Sequence, residues 1–351
     1  MDLSDLIKRI GIKPTNKRNG ALDTYIENSN QKREKLEILL SEFLRITSDK
    51  SAPTFWGTWW WGAGAEDYYN YLDKNISNFD LADVVQLTGN EQLYKIAKGD
   101  HKENSKFGLF LSTLIKKNMK QGEKVQIITS IPIHCLFYKL ENAEAYVNIA
   151  GDYLGYLAKR SKIQADEVRD DAGKNIDGCE LYVKKAGVFL GHVAKNSKIY
   201  AGEAGNFAGD GIDSCELHVK KTGDYLGSGA QNSKIYAEEA GDLAGNYMRY
   251  GGLYVKKAGD YLGSGAQNSK IYADEAGIDA GIDMKNSELF IYKLDGRLAD
   301  SCFRGNNEIY LGEESYKKFI QNYPKYKNEV KLWEKQKQNV DAGLGEYYGP
   351  K

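Results

Sequence analysis

Between about Ala145 and Gly305 this chain repeats itself every 18 residues, and no other feature constrains its fold as strongly. Leu181, Leu217, Leu253 and Leu289 recur at a 36-residue spacing without an insertion. Ile163, Ile199, Ile235 and Ile271 open a second copy halfway through each unit. A unit this short cannot bury its own apolar face, so it must stack on its neighbours.

Positions are numbered here from the aliphatic residue, so that Leu253 is position 1. Leu253 and Val255 flank Tyr254, the alternation of a strand with one buried face. Position 6 is usually Ala, position 10 is Leu or Ala, and position 14 is Ala, Ile or Met, which suits a narrow core. Position 7 is Gly in seven of eight turns, with Arg169 the exception, and position 11 is Gly in all eight, from Gly155 to Gly281. Glycine at fixed corners lets the backbone adopt positive φ or pass close to its neighbours. The pattern predicts a parallel β-helix, one coil per 18 residues, rising about 4.8 Å per coil and right-handed by the general preference of parallel connections. An amphipathic helical array shares the period, but two interior glycines per unit would each cost about 1 kcal/mol relative to Ala.

The true period is 36 because charge alternates. Positions 4 and 5 read Asp166-Glu167, Lys184-Lys185, Gly202-Glu203, Lys220-Lys221, Glu238-Glu239, Lys256-Lys257 and Asp274-Glu275. Stacked in register, each lysine pair lies between acidic neighbours, and a slip by one coil makes every such contact repulsive. Position 2 forms an outward aromatic column from Tyr146 to Phe290, read as rings packed on one another or as a ligand-stacking surface. Position 8 places Asp224, Asp242 and Asp260 in successive coils. Carboxylates so spaced invite a bridging cation such as Ca²⁺; the alternative is solvated turn aspartates beside glycine.

The phrases Ala258-Gly-Asp-Tyr-Leu-Gly263, Thr222–Gly227 and Met248-Arg-Tyr-Gly-Gly252 resemble the Gly-x-x-Gly-x-x-x-Gly β-helix domain. That domain closes the glutamate synthase large subunit and occurs in the C subunit of formylmethanofuran dehydrogenase. The likeness covers under half the chain. It departs at position 4, where only the coil of Gly202, Gly205 and Gly209 supplies all three glycines. The resemblance implies a bracing domain, which is not itself the catalyst, and an accessory subunit of an oxidoreductase complex as one role.

Three regions follow: a mainly α-helical N-terminal domain or cap over 1–123, the β-helix over 124–312, and a helical C-terminal segment with a loose tail over 313–351. Leu36, Leu39, Leu40, Phe43 and Ile46 recur at helical spacing, as do Phe107, Leu111, Leu114 and Ile115. Gly122 is a helix stop ahead of the β-rich Val125–Ile133, and Pro324 divides the C-terminal segment. The formal charge of −1 gives no electrostatic footprint for nucleic acid. No apolar h-region opens the chain and no apolar run spans a bilayer, so a cytoplasmic protein without a membrane association is expected.

Residues that carry chemistry are sparse. Cys135, Cys179, Cys215 and Cys302 show no CxxC, and Cys179 and Cys215 lie two coils apart, too far for a disulfide. Free thiols fit a reducing compartment. His101, His134, His192 and His218 are scattered and read as core or surface filling, with His134-Cys135 a weak metal signal. Trp56, Trp59, Trp60 and Trp61 cluster in Thr54–Gly62, either capping the open end of the solenoid or forming a binding surface. The functional expectation is a non-catalytic scaffold or assembly subunit, needing no cofactor and binding a protein partner or further copies of itself. The alternative is a carbohydrate-binding or glycan-active protein using the tryptophans with Glu66 and Asp67. Those two carboxylates are adjacent in sequence and poorly placed to flank one substrate bond.

Overall fold

Twelve parallel strands pair in strict chain order into one continuous sheet that winds up a β-solenoid. The computed structural model describes residues 35, 37–49, 51–53, 61–76, 79, 101–120 and 122–333. The strands are β1 (Lys124–Ile127), β2 (Glu144–Ala150), β3 (Lys162–Val168), β4 (Glu180–Lys185), β5 (Lys198–Ala204) and β6 (Glu216–Thr222), followed by β7 (Lys234–Ala240), β8 (Gly252–Ala258), β9 (Lys270–Ala276), β10 (Glu288–Leu294), β11 (Glu308–Leu311) and β12 (Val330–Leu332). From β2 to β10 each residue pairs with the residue 18 further on, as Glu144 does with Lys162 and Lys270 with Glu288. The end steps are longer: Lys124 pairs with Glu144, Glu288 with Glu308, and Ile309 with Val330.

The core explains the 36-residue period a second time. In one coil, positions 1, 3, 10 and 14 hold Ile163, Ala165, Ala172 and Ile176; in the next they hold Leu181, Val183, Leu190 and Ala194, all buried. Ile199, Ala201, Ala208 and Ile212 then give way to Leu217, Val219, Leu226 and Ala230 in the same order. A large residue at position 14 always accompanies a small one at position 10, and the reverse. Each layer therefore fills the same narrow space, as close packing demands. Each fully buried Leu or Ile contributes roughly 1.5–3 kcal/mol, so this interior is the main stabilising term.

The corners are backbone features. Position 11 is left-handed throughout, from Gly155 at φ 68° to Gly281 at φ 77°. Position 9 is left-handed too, although it carries side chains such as Tyr153, Phe207 and Tyr261. At position 7 a Cβ on Gly241 would overlap Asp224 Oδ1, and one on Gly259 would overlap Asp242 Oδ1.

Charge is sorted as expected at positions 4 and 5, with Lys184 Nζ 2.8 Å from Asp166 and Lys221 Nζ 3.1 Å from Glu239. A further column of alternating charge runs just before position 1. Glu144, Lys162, Glu180, Lys198, Glu216 and Lys234 pair directly in register, and Lys270 continues to Glu288. Its phase is opposite to that of positions 4 and 5, so each coil carries both signs. Gly252 interrupts it between Lys234 and Lys270.

Helices close both ends. A helical stretch over 37–47 (α1), then α2 (Trp61–Asn75) and α3 (His101–Asn118), precede the sheet. Phe107, Leu111, Leu114 and Ile115 are buried as the periodicity predicts, together with Leu39, Leu40, Phe43 and Ile46 of α1. The edge of the first coil is satisfied by α3. Asn104 Nδ2 donates to the Pro132 carbonyl at 2.9 Å, and its Oδ1 accepts the His134 N–H at 2.8 Å, as a neighbouring peptide group would. Ser112 Oγ accepts the Tyr138 N–H at 3.2 Å. Gly108 allows this approach, because a Cβ there would run into the His134 carbonyl.

At the other end α4 (Glu313–Asn322) packs on the last strands, where Ser315 Oγ accepts the Leu294 N–H at 2.9 Å. The C-terminal segment is not helical alone: after a 3₁₀ turn at Pro324–Tyr326 it returns to the sheet as β12. Among the described residues the C-terminal edge of the sheet is the short Val330–Leu332 strand, which limits pairing with foreign strands there. No helix among the described residues is long and apolar enough to cross a membrane.

Candidate functional site

Two columns that run along the solenoid, and the junction where α3 meets the first coil, hold the groups with chemical potential. The aromatic column at position 2 is a continuous stack of Tyr182, Tyr200, His218, Tyr236, Tyr254, Tyr272, Phe290 and Tyr310. Successive centroids lie 4.4–5.1 Å apart and no pair is inclined by more than 17°. The ring faces are thus occupied by each other. Both end rings carry an ammonium group, Lys162 Nζ 5.1 Å from the Tyr182 centroid and Lys331 Nζ 5.1 Å from that of Tyr310, in cation–π geometry. Trp333 meets the column edge-on, 5.6 Å from Phe290. A shorter second stack at position 9 joins Phe189, Phe207 and Tyr225 at 4.9 and 4.6 Å.

The aspartates of position 8 form a ladder of their own. Asp224 Oδ1 accepts the Asp242 N–H at 2.9 Å, Asp242 Oδ1 accepts the Asp260 N–H at 2.8 Å, and Asp260 Oδ1 accepts the Ile278 N–H at 2.9 Å. One oxygen of each carboxylate therefore satisfies the backbone of the next coil. Asn206 does the same for Asp224 at 3.0 Å, and Asp170 for Val188 at 2.9 Å. The acceptor is what the position selects, and a neutral amide serves as well as a carboxylate. A parallel ladder at position 17 uses Ser and Cys: Ser233 Oγ accepts the Cys215 N–H at 3.0 Å, and Cys215 Sγ lies 3.4 Å from the Ser197 N–H that it accepts. All four cysteines are buried and unbridged.

The ladder of position 8 begins differently. One period before Asp152 stands His134, whose Nδ1 accepts the Asp152 N–H at 2.8 Å in the place of a carboxylate oxygen. His134 is buried, and Asp152 is partly buried. The same Nδ1 lies 3.3 Å from Asp152 Oδ2. His101, at the start of α3, brings its Nε2 to 2.8 Å from that oxygen. The two imidazole centroids are 3.9 Å apart. Burial pushes the Asp152 carboxyl up, but the two histidines outweigh it and hold the group well below the usual carboxylate range.

Arg169 explains why Asp152 turns this way. Elsewhere the position-7 glycine leaves room for the preceding aspartate's Oδ1, and a Cβ would strike it. Arg169 carries a Cβ there, and the Asp152 Oδ1 bond to the Asp170 N–H is stretched to 3.3 Å. The one break in the glycine column of these eight coils thus coincides with the position-8 aspartate that is drawn toward two histidines.

From sequence the scattered histidines are expected to fill core or surface, with His134-Cys135 a weak metal signal, and the structure brings His101 and His134 together. His134 was findable, since it stands 18 residues before Asp152, but His101 comes from a helix outside the repeat. His218 sits within the aromatic stack, its Nε2 2.8 Å from Glu216, and His192 faces Asp210 at 2.9 Å. Trp56, Trp59 and Trp60, and the side chain of Trp61, lie outside the described residues. Glu66 and Asp67 are exposed on α2, and Glu66 accepts Lys139 Nζ at 2.6 Å, linking helix to coil. No protein family, curated protein or solved structure was found to match this chain.

Proposed function

We propose that this protein is a non-catalytic structural scaffold or assembly subunit. It presents a rigid β-solenoid to a protein partner or to further copies of itself. The observation that carries this reading is the aromatic column closed by lysine at both ends. From Tyr182 to Tyr310 its rings are spent on stacking against one another, which stiffens that face of the solenoid. Eleven strand-to-strand steps of about 4.8 Å make a body roughly 50 Å long, a span suited to holding other components at fixed separation. The likeness to bracing domains of multisubunit oxidoreductases agrees with this role. Four buried thiols agree with a cytoplasmic setting.

The test is native mass spectrometry on untagged protein from its own cells. A complex of fixed stoichiometry, with a second protein or with further copies, supports the reading. A bare monomer at working concentration contradicts it.

A further inference from the structure

We propose that His101, His134 and Asp152 form a binding site for a divalent transition metal, zinc by its donor set, that clasps the helical cap to the first coils. This goes beyond the scaffold reading and does not depend on it. Among the described residues these three side chains bring one ligand atom each to within 4.8 Å of one another.

One ligand-to-ligand distance fits a tetrahedral site, and a second must open by about 0.5 Å to do so. Metal–ligand bonds of about 2.0–2.1 Å imply ligand-to-ligand edges of about 3.3 Å. Asp152 Oδ2 stands 3.3 Å from His134 Nδ1 and 2.8 Å from His101 Nε2. Two imidazoles and a carboxylate suit zinc over the hard cations, which take all-oxygen sites.

The electrostatics ask for a positive centre. His134 Nδ1 accepts the Asp152 N–H, so its lone pair is on that side of the ring, with an ionised carboxylate oxygen 3.3 Å away. A proton or a metal cation between the two would be held by both. Either a proton or a metal on Nδ1 would take the single lone pair that now accepts the Asp152 amide N–H. A metal would be shared by all three donors, and the exposed flank at His101 leaves a fourth position open to water.

The site also departs from the repeat in two linked ways. Histidine heads a column otherwise filled by Asp, Asn, Val or Ile, and Arg169 replaces the glycine that would leave Asp152 in the ordinary ladder. A purely structural column needs neither change. The third ligand belongs to α3, the helix that satisfies the edge of the first coil through Asn104. A bound metal would therefore tie the cap to the solenoid across two consecutive coils.

The test uses the full untagged chain, stripped with a chelator and titrated with Zn²⁺ or Co²⁺ alone. One ion per chain should bind, with Co²⁺ giving the intense visible absorption of a four-coordinate centre. Zinc should slow amide exchange over residues 101–118. His101→Ala, at an exposed position, and Asp152→Asn should each weaken zinc at least tenfold. Asp152→Asn keeps an oxygen for the Asp170 N–H, as Asn206 does for Asp224, so its fold can be verified without metal. Absence of stoichiometric binding at micromolar zinc would overturn the proposal. So would binding that neither substitution alters, or loss of binding without any zinc effect on exchange over 101–118 in the parent chain.

Discussion

Nδ1 of His134 accepts the backbone N–H of Asp152 at 2.8 Å, the bond that Asp224 Oδ1 makes to the N–H of Asp242 at 2.9 Å five coils on. An imidazole and a carboxylate thus occupy one structural role, and the column is defined by what it accepts. This ties the side chain at position 8 to the backbone of the following coil, and through it to the glycine at position 7.

That coupling gives the first prediction. Asp242→Asn should be near neutral, because an amide oxygen already serves at Asn206, whereas Asp242→Ala leaves the Asp260 N–H to water and should cost about 0.5–1.5 kcal/mol. Gly241→Ala should cost more, about 1–3 kcal/mol, because its Cβ meets both Asp224 Oδ1 and the backbone of Gly223. Denaturant unfolding of the three variants checks the order. Equal losses for Asn and Ala at 242 would refute the ladder.

Gly252 is the gap in the column before position 1, between Lys234 and Lys270. Gly252→Glu should stabilise the chain by about 1–2 kcal/mol, from a strand residue with a side chain and two new cross-strand charge pairs. The Tyr254 ring edge, 3.0 Å from the new Cβ, must tilt. Gly252→Lys gains the first part and loses the second. A Lys variant as stable as the Glu variant, by thermal melting at low salt, would show that charge alternation contributes nothing there.

Asp152 supplies a pH signature. Its carboxyl pKa is depressed in the fold, so its stabilisation is complete above the unfolded value of about 3.9. It is lost as pH falls through the lower folded value. The stability difference between the parent chain and Asp152→Asn, followed in chelator-containing buffer, should therefore narrow below about pH 4. A difference that stays constant down to pH 2 would mean that the carboxylate is not favoured by the fold.

The architecture was legible because its cause is local and periodic. Leu181, Leu217, Leu253 and Leu289 mark the coils, and the glycines of position 11 mark a corner that needs positive φ. The alternation of Ala172 and Ile176 with Leu190 and Ala194 was equally present in the residues. It becomes meaningful only once both positions are seen to face one narrow interior. What periodicity cannot carry is contact between the repeat and what flanks it. His101 has no place in the 18-residue register, and the return of Val330–Leu332 as a twelfth strand follows from an open sheet edge rather than from any motif. The aspartates 224, 242 and 260 show the opposite limit: their spacing was evident, but their backbone partners were not.

The central structural claim is that two kinds of coil alternate, matched in charge and in core volume. Removing residues 198–215 stacks like on like: Glu180 meets Glu216, and Lys184 and Lys185 meet Lys220 and Lys221. Removing residues 198–233 instead sets the coil of Leu181 on that of Ile235, and the alternation survives. Length alone favours the chain that loses one coil, because solenoid stability is nearly additive over neighbours. With charge and core volume alternating, the reverse order is expected in a thermal melt of the two deletions, the 36-residue deletion being at least as stable as the 18-residue one. A higher midpoint for the 18-residue deletion would contradict it.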